Sequence, residues 1–329
     1  MEKHPPPAKK TSAAAPAPAK IPLWYNTDMT NKLCSLTEAI AQFVHDGDTI
    51  YAAGFTHLIP FAAGHEIIRQ GRKNLTLARA TPDLIYDQMV AAGCAAKIIF
   101  SYIGNPGVGS LRIVRAEIEA GRLAWEEYSH FSMISRLQAG AAGLPFMPMN
   151  PTAAGDLERV NPNYRRVKDP YTGREVVTVP PLKPDVAIVH VQRADVHGNA
   201  HIWGIIGEQK EAAFAAQHVI LTAEEIVDEA VIRSDPNRTV IPDFVVDAVC
   251  PVPHCAHPSY TQGYYDRDNA FYLEWDKISE SPAETQRWLE EWVFDVRDRA
   301  EYWHKLGEEV HRRLSVRPRL SHPVNYGDY

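Results

Sequence analysis

Short apolar runs alternate along this chain with longer stretches in which apolar residues recur every three or four positions. The short runs predict buried β-strands, and the longer stretches predict helices with one apolar face. The predicted strands cover residues 50–53, 75–78, 98–102, 176–179, 186–191, 201–203, 219–221 and 245–249. The predicted helices cover residues 36–44, 61–71, 84–92, 111–121, 126–142 and 282–306. Regular alternation of strand and helix indicates right-handed βαβ units, so we expect an open α/β/α sandwich with a mostly parallel sheet.

The two ends of the chain and one internal stretch lack this pattern. Residues 1–30 are rich in Pro, Ala and Lys, and such a segment buries too little apolar surface to offset the entropy of ordering it. We therefore expect a disordered extension over residues 1–30, one folded domain over residues 31–310 and a tail over residues 311–329. Residues 150–175 are polar with several Pro and Gly, which predicts an excursion outside the core.

Charge and cysteine content narrow the class of protein. The formal net charge of -7 disfavours a nucleic-acid partner, because phosphate binding requires a surplus of Lys and Arg. No apolar run reaches the roughly 18 residues of a membrane span, so no membrane partner is expected. The four cysteines, at positions 34, 94, 250 and 255, are too few for a disulfide framework and predict a reducing, cytoplasmic location.

The first candidate site lies where the predicted strand at 50–53 ends in small residues. Gly54 allows the backbone to turn sharply there. Pro60 suits the first turn of the helix that follows, because its φ is preset and it has no N–H to leave unpaired. Open α/β sheets bind ligands at the carboxyl ends of strands. Gly54, Phe55 and Thr56 are therefore candidate substrate-binding residues, and the alternative is a strand-to-helix turn without a ligand.

The second candidate site is the glycine-rich stretch 104–110, which follows the predicted strand at 98–102. It is not a phosphate-binding P-loop, because no Gly-Lys-Ser/Thr follows it. A carboxylate or carbonyl group could bind there near a helix N-terminus. Gly104, Asn105 and Gly107 are the candidate residues, and the alternative is a turn that caps the next helix.

Polar residues in predicted helices and strands allow two interpretations. His130 and Ser132 lie with Glu127 and Tyr128 on the predicted helix at 126–142, and they are either binding residues or part of a surface helix. His190 lies in an apolar strand, which predicts a core histidine with hydrogen-bond partners.

A group of cysteines and histidines near position 250 suggests a zinc site. Cys250, His254, Cys255 and His257 are the residues concerned. The Cys-x4-Cys spacing with two prolines between fits zinc motifs poorly. No metal site is therefore predicted.

Five short motifs follow one another in a recognisable order. They are Asp-Gly…Ala-Gly-Phe…Pro within 46–60, the strand at 185–190 with Asp-Val-His-Gly-Asn at 195–199, Val-Asp-Ala-Val at 246–249 with Ala-His-Pro-Ser at 256–259, Tyr-Asp-Arg-Asp-Asn at 265–269, and Glu-Trp-Val-Phe-Asp at 291–295. Together they resemble the A subunit of family I CoA-transferases, that of glutaconate CoA-transferase in particular, over about residues 32–307. The chain departs from that pattern at Ala53, which replaces the first glycine of a pair, and at Pro60, which comes early.

The resemblance implies a NagB/RpiA/CoA-transferase-like α/β/α fold and a B-subunit partner in a heterotetramer or larger assembly. In that family a Glu in a Ser-Glu-Asn-Gly motif of the B subunit is the nucleophile. This sequence has no such motif, so the implied catalytic Glu lies in the partner and none lies in this chain. The implied substrates are an acyl-CoA and a carboxylic acid of dicarboxylic or oxo type, with coenzyme A as substrate and no permanently bound cofactor or metal. The implied substrate-binding residues are Gly54, Phe55, Thr56, Gly104, Asn105, Gly107, His130 and Ser132.

Two other functions are compatible with the same motifs. One is the A subunit of a related ring-opening acyl-CoA hydrolase, a branch with an acidic residue near 127–130, where this chain carries His130. The other is a ligand-sensing domain on the same fold, although the N-terminal segment contains no helix-turn-helix pattern.

Overall fold

The computed structural model describes residues 31–105 and 107–316, which belong to one compact unit that begins at Asn31. The predicted extension over residues 1–30 and the tail beyond residue 316 lie outside the described residues, and the domain boundaries stay predictions. The described strands are β1 (Thr49–Ala52), β2 (Leu75–Ala78), β3 (Ala95–Phe100), β4 (Ala124–Glu127), β5 (Met147–Met149), β6 (Arg165–Lys168), β7 (Glu175–Val179), β8 (Val186–Ala194), β9 (Ala200–His201), β10 (His218–Ile226), β11 (Thr239–Ile241) and β12 (Ala248–Pro251). The described helices are α1 (Leu36–Phe43), α2 (Phe61–Arg69), α3 (Leu84–Ala91), α4 (Arg112–Glu119), α5 (His130–Ala141), α6 (Leu157–Val160), α7 (Gln209–Ala215), α8 (Glu229–Ser234), α9 (Asn269–Ile278), α10 (Pro282–Leu289), α11 (Arg299–Leu306) and α12 (Glu308–Leu314).

The main sheet is parallel along most of its width. Its strands run in the order β12, β10, β8, β1, β2, β3, β4, all parallel, and β9 and β11 add antiparallel pairings beyond the end of β8. At the centre, Tyr51 is paired with Ala78 of β2 and Ala187 of β8. Strands buried on both faces need continuous apolar sequence, which β1 and the first part of β8 provide.

The apolar side chains of the sheet divide between its two faces because successive residues of a strand point in opposite directions. Ile50 and Ile188 face a core cluster that includes helices α2, α3 and α9. Tyr51 and Val189 face a second cluster that includes α5 and α7. Helices on both faces of a mostly parallel sheet confirm the predicted open α/β/α sandwich.

Several predicted elements match the structure closely, and the α1 start is one of them. The Ser35 hydroxyl accepts a hydrogen bond from the Glu38 N–H at 3.1 Å, and the Glu38 carboxylate accepts one from the Ser35 N–H at 2.9 Å. This capping box satisfies two donors that the first helical turn leaves without partners.

The predicted helix over residues 126–142 is wrong at its beginning. Residues 124–127 form β4 beside β3, and the helix begins only at His130. Ser129 is the N-cap, because its hydroxyl accepts a hydrogen bond from the Ser132 N–H. Glu127 and Tyr128 therefore do not share a helical face with His130 and Ser132.

Two other predictions need correction. Residues 150–175 are not wholly outside the core: β6 pairs with β7 in a second sheet, ordered β5, β7, β6, and Ala154 and Tyr164 are buried in the second core cluster. The predicted helix over residues 282–306 is interrupted by a π-turn at Glu290–Phe294, and α11 restarts after the N-cap Asp298.

The described residues contain no helix that is both long enough and apolar enough to cross a bilayer. Their four cysteines are free thiols. The Sγ atoms of Cys34 and Cys250 lie 3.9 Å apart.

Candidate active site

A cavity of about 340 Å³ opens at the carboxyl edge of the sheet, where the strand order changes direction at β1. The segments that follow β1, β2, β3 and β4 meet there. Its lining residues are Phe55, Thr56, Arg79, Thr81, Asp83, Tyr102, Gly104, Asn105, His130 and Arg267. A larger cavity of about 910 Å³ lies beside the end of β12, but none of the loops after β1 and β3 lines it. We take the smaller cavity as the candidate site, because ligands of open α/β sheets bind at such a switch point.

The cavity brings together five of the eight residues that the sequence proposed for substrate binding: Phe55, Thr56, Gly104, Asn105 and His130. Gly54 adjoins them, and its carbonyl accepts a hydrogen bond from Arg79 Nη2 at 2.5 Å. Residues 55 and 105 are about fifty positions apart in the sequence. The two glycine-containing stretches therefore form opposite parts of one site.

Besides Gly54, which only adjoins the cavity, two predicted residues do not line it. Gly107 lies in an exposed turn. Ser132 is fully buried, and its hydroxyl is hydrogen-bonded to Ser129 at 2.8 Å and to Tyr164 at 2.9 Å. The Ser132 hydroxyl thus holds α5 against residue 164 and has no path to a ligand in this cavity.

The loop from Gly54 to Leu58, here called the Gly54 loop, has an unusual backbone. Gly54 has a φ of +129°, and a Cβ built on it would lie 2.7 Å from the Leu58 carbonyl oxygen and 2.8 Å from that of His57. Thr56 and Leu58 adopt φ values of 60° and 55°. Positive φ is costly for a β-branched residue such as Thr and persists only where surrounding contacts impose it.

The contacts that impose this backbone come from a distant segment, Ser259–Tyr260. The Ser259 hydroxyl donates a hydrogen bond to the Thr56 carbonyl at 2.9 Å, and the Leu58 N–H donates one to the Tyr260 carbonyl at 3.0 Å. The His57 ring stacks on the Tyr260 ring with centroids 5.0 Å apart, and its Nε2 donates to the Ile205 carbonyl at 2.5 Å. The loop is therefore fixed before any ligand binds.

His130 is held by two hydroxyl groups at the mouth of the cavity. The Ser101 hydroxyl donates to the Ala80 carbonyl at 2.5 Å, so its oxygen must accept the hydrogen bond from His130 Nδ1 at 2.7 Å. Nε2 is then the unprotonated nitrogen and accepts from the Thr81 hydroxyl at 3.0 Å. Partial burial lowers the pKa of His130, so the imidazole is neutral and in a defined tautomer at neutral pH.

The stretch 104–110 leads into α4, whose N-terminus already has a carboxylate. The Ser110 N–H donates to Asp276 Oδ1 at 3.3 Å, and Arg112 forms an ion pair with Asp276 at 2.9 Å. The chain's own Asp276 thus occupies the place where the sequence suggested a bound carboxylate. Of the described residues in this stretch, Gly104 and Asn105 line the cavity.

Sequence reasoning missed five lining residues: Arg79, Thr81, Asp83, Tyr102 and Arg267. Three of them lie in the segment 79–83, directly after the predicted strand at 75–78. The rule that ligands bind at the carboxyl ends of strands could have identified that segment. No local signal marks Arg267, which the fold brings in from the C-terminal third.

Three histidines away from the cavity have structural partners. His190 is fully buried, with Nε2 2.8 Å from Glu224 and Nδ1 3.0 Å from the Thr222 carbonyl, which confirms the predicted core histidine. His257 contacts the Tyr302 hydroxyl and Asp268, whereas the His254 ring stacks on the Trp303 ring. No group of three or more possible metal ligands occurs among the described residues.

Two buried histidines predict loss of stability in mild acid. Burial lowers the pKa of both His57 and His257 to about 4, from about 6.5 in the unfolded chain. Below pH 6.5 the unfolded chain therefore binds more protons, and the free energy of unfolding falls as the pH decreases towards 4. Between pH 7.5 and 5.5 the expected fall is about 1 kcal/mol for each histidine. Urea unfolding at pH 7.5 and at pH 5.5 measures this change in the free energy of unfolding. His257→Gln should make the fall between pH 7.5 and pH 5.5 about 1 kcal/mol smaller than in the wild-type protein, and a fall of unchanged size in this variant would contradict the assignment.

Comparison with known proteins agrees with this architecture. A family profile described as Coenzyme A transferase matches residues 34–251. The A subunit of 3-oxoadipate CoA-transferase from Pseudomonas knackmussii is 48% identical over 84% of this chain and 99% of its own length. The crystal structure of glutaconate coenzyme A-transferase from Acidaminococcus fermentans superposes with a TM-score of 0.81 at 36% identity, covering 87% of this chain and 96% of that one.

A more distant relative has a different activity. The cholesterol ring-cleaving hydrolase IpdA subunit of Rhodococcus jostii is 26% identical over 79% of this chain and 90% of its own length. Identity is higher to the A subunits of both transferases, and the family profile covers most of the main sheet. The chain belongs to the family I CoA-transferases, as an A subunit.

Proposed function

We propose that this chain works with a B subunit to move CoA between an acyl-CoA and a free dicarboxylic or oxo acid, and that the B subunit supplies the nucleophilic glutamate. The observation that carries the proposal is the cavity at the strand ends, which has donors and cations in its wall but no available carboxylate. Of the described residues that line it, Asp83 is the only carboxylate. Asp83 is buried and accepts hydrogen bonds from the Leu84 N–H at 2.7 Å and the Tyr272 hydroxyl at 2.9 Å.

The two subunits have different roles in the proposed reaction. A glutamate carboxylate attacks the acyl-CoA to give a mixed anhydride and the CoA thiolate. The thiolate then attacks the glutamyl carbonyl of the anhydride, which forms an enzyme thioester and releases the donor acid. The acceptor acid takes the CoA by the reverse steps. This chain binds the acyl group and presents fixed donors to oxygens that gain negative charge, which stabilises the transition state without reorganisation. The prearranged Gly54 loop suits that task.

Exposed apolar side chains around the cavity support a partner that covers it. Tyr102 is 47% exposed at the cavity wall, Phe131 is 60% exposed beside His130, and Ile206 is 49% exposed beside the Ile205 carbonyl that His57 contacts. Large apolar side chains grouped in this way are typical of a subunit interface. We propose that the B subunit packs here and brings its glutamate to the cavity mouth, in a heterotetramer or larger assembly in the cytoplasm.

The test is CoA exchange by this chain alone and by its complex with the B subunit. We expect no exchange between an acyl-CoA and succinate or 3-oxoadipate for the chain alone, and transfer by the complex. Transfer by the isolated chain would contradict the division of roles.

A ring-opening acyl-CoA hydrolase is the second candidate, and one observation favours it. Glu127 lines an adjoining cavity of about 320 Å³ that also contains Tyr102, so this chain has an acidic residue next to the site. In the same assay a hydrolase would release CoA into water without an acceptor acid. A transferase requires the acceptor.

A further inference from the structure

Two buried side chains in the cavity wall have hydrogen-bond donors without partners. Arg79 is 1% exposed, and within the described residues its Nε and Nη1 have no hydrogen-bond partner. Asn105 is 7% exposed, and its Nδ2 likewise has none in the described part of the chain. A buried donor left unsatisfied costs about 1–3 kcal/mol. Several such donors in one cavity wall indicate a ligand with strong acceptors.

The charge of Arg79 also lacks a close counter-ion. Among the described residues, no carboxylate oxygen lies within 4.0 Å of the guanidinium. The nearby carboxyl is Glu208, which is buried and bound to the Tyr51 hydroxyl at 3.1 Å. Burial raises the pKa of Glu208, and the charge of Arg79 offsets part of that rise. Glu208 therefore neutralises Arg79 incompletely, and a buried cation in this state is stabilised by an anionic ligand.

The rest of the wall favours the same kind of ligand. Arg267 adds a second guanidinium. Asp83, the one carboxylate among the described lining residues, is engaged with the Leu84 N–H and the Tyr272 hydroxyl. A volume of about 340 Å³ is at the small end of ligand pockets. It suits a short acyl chain rather than a whole CoA molecule.

We propose that Arg79 and Asn105 form a carboxylate-binding subsite that recognises the second carboxylate of a short dicarboxylic substrate. The inference rests on the proposed function and names its substrate class. A guanidinium binds a carboxylate through two parallel hydrogen bonds, a geometry that an unbranched alkyl chain end cannot reproduce. The Arg79 and Asn105 donors then discriminate a dicarboxylic acid from a monocarboxylic acid of equal length.

The test uses Arg79→Met in the assembled enzyme, with glutarate and valerate as acceptors of equal chain length. We expect wild-type enzyme to prefer glutarate, and Arg79→Met to lower kcat/KM for glutarate by about 10- to 100-fold. The fall for valerate should be much smaller. An equal fall with both acids would show that Arg79 only positions the Gly54 loop, and would overturn the proposal.

Arg136→Met is the matched control. Arg136 is also buried, at 6% exposed, and its Nη1 has no hydrogen-bond partner among the described residues. It lies outside the cavity, and its Nη1 is 3.6 Å from the Glu126 carboxylate. Its loss should leave the ratio of glutarate to valerate unchanged. If Arg79→Met does not fold, Arg79→Lys and Asn105→Leu test the proposal instead. Each should lower the preference for glutarate over valerate. An unchanged preference in both variants would overturn the proposal.

A binding measurement separates this inference from the proposed function. Glutarate should raise the thermal unfolding temperature of the wild-type complex, whereas valerate should not, and Arg79→Met should lose the glutarate effect. If the wild-type complex transfers CoA to no acid but glutarate still stabilises it through Arg79, the proposed function fails and the subsite stands. If CoA alone stabilises the complex in an Arg79-dependent manner, the anion is a CoA phosphate and the subsite is wrongly assigned.

Discussion

Gly54→Val is expected to lower kcat/KM of the assembled enzyme at least 100-fold while leaving a folded chain. The Cβ of any other residue at 54 would lie 2.7 and 2.8 Å from two carbonyl oxygens of the same loop, so the loop must move. Displacement of catalytic or binding groups by about 1 Å can cost a factor of roughly 100 in rate. The Cβ would collide with carbonyl groups of the Gly54 loop and not with the sheet, so the sheet should still form.

Gly47→Val is the matched control for backbone strain. Gly47 also has a positive φ, +92°, but a Cβ there would meet no atom within 4 Å, and Gly47 does not line the cavity. Circular dichroism and thermal unfolding should show that both variants fold, with the larger destabilisation for Gly54→Val, and the transfer assay should show loss of activity per folded molecule only for Gly54→Val. Equal activity per folded molecule in the two variants would mean that the turn has no part in ligand binding.

The second prediction concerns which subunit carries the covalent thioester intermediate. When the assembled enzyme is incubated with acyl-CoA and then treated with borohydride, we expect complete inactivation and a reduced glutamate on the B subunit. Borohydride reduces an enzyme thioester but leaves an ordinary carboxylate intact, so the modified residue identifies the nucleophile. Peptide mass spectrometry of both proteins locates it.

Enzyme treated with borohydride in the absence of acyl-CoA is the control and should keep its activity. A modified Glu127, or any modified carboxylate of this chain, would overturn the assignment of roles. Acyl-CoA consumption with release of free acid and CoA, and no adduct in either protein, would favour the hydrolase.

The sequence predicts the strands and helices whose patterns are local. Residues 75–78 are β2 as predicted, and the capping box at Ser35 places the start of α1. His190 could be assigned to the core because it interrupts a continuous apolar strand. These features depend on neighbours within a few positions, so the local sequence is enough to predict them.

The errors arise where contacts between distant residues decide the outcome. Residues 124–127 are Ala-Trp-Glu-Glu and none of them is buried, so their pattern does not distinguish an edge strand from the first turn of α5. Arg79 follows β2, but its role depends on Asn105, Glu208 and the Gly54 carbonyl. Ser132 is in the helix as predicted, yet Tyr164 buries its hydroxyl. Only the assembled fold shows which polar residues face a cavity and which face each other.

The dependence of the Gly54 loop on Ser259 and Tyr260 has a consequence during synthesis of the chain. The hydrogen bond from the Ser259 hydroxyl to the Thr56 carbonyl spans 203 positions. While the ribosome is still producing the segment before residue 259, β1 to β4 can pair, but the loop lacks the two hydrogen bonds from Ser259 and Tyr260 that hold Thr56 and Leu58. The nascent chain can therefore form these strands before the contacts that complete its binding loop are available. A partner that recognises the finished loop would select chains whose translation has passed this segment.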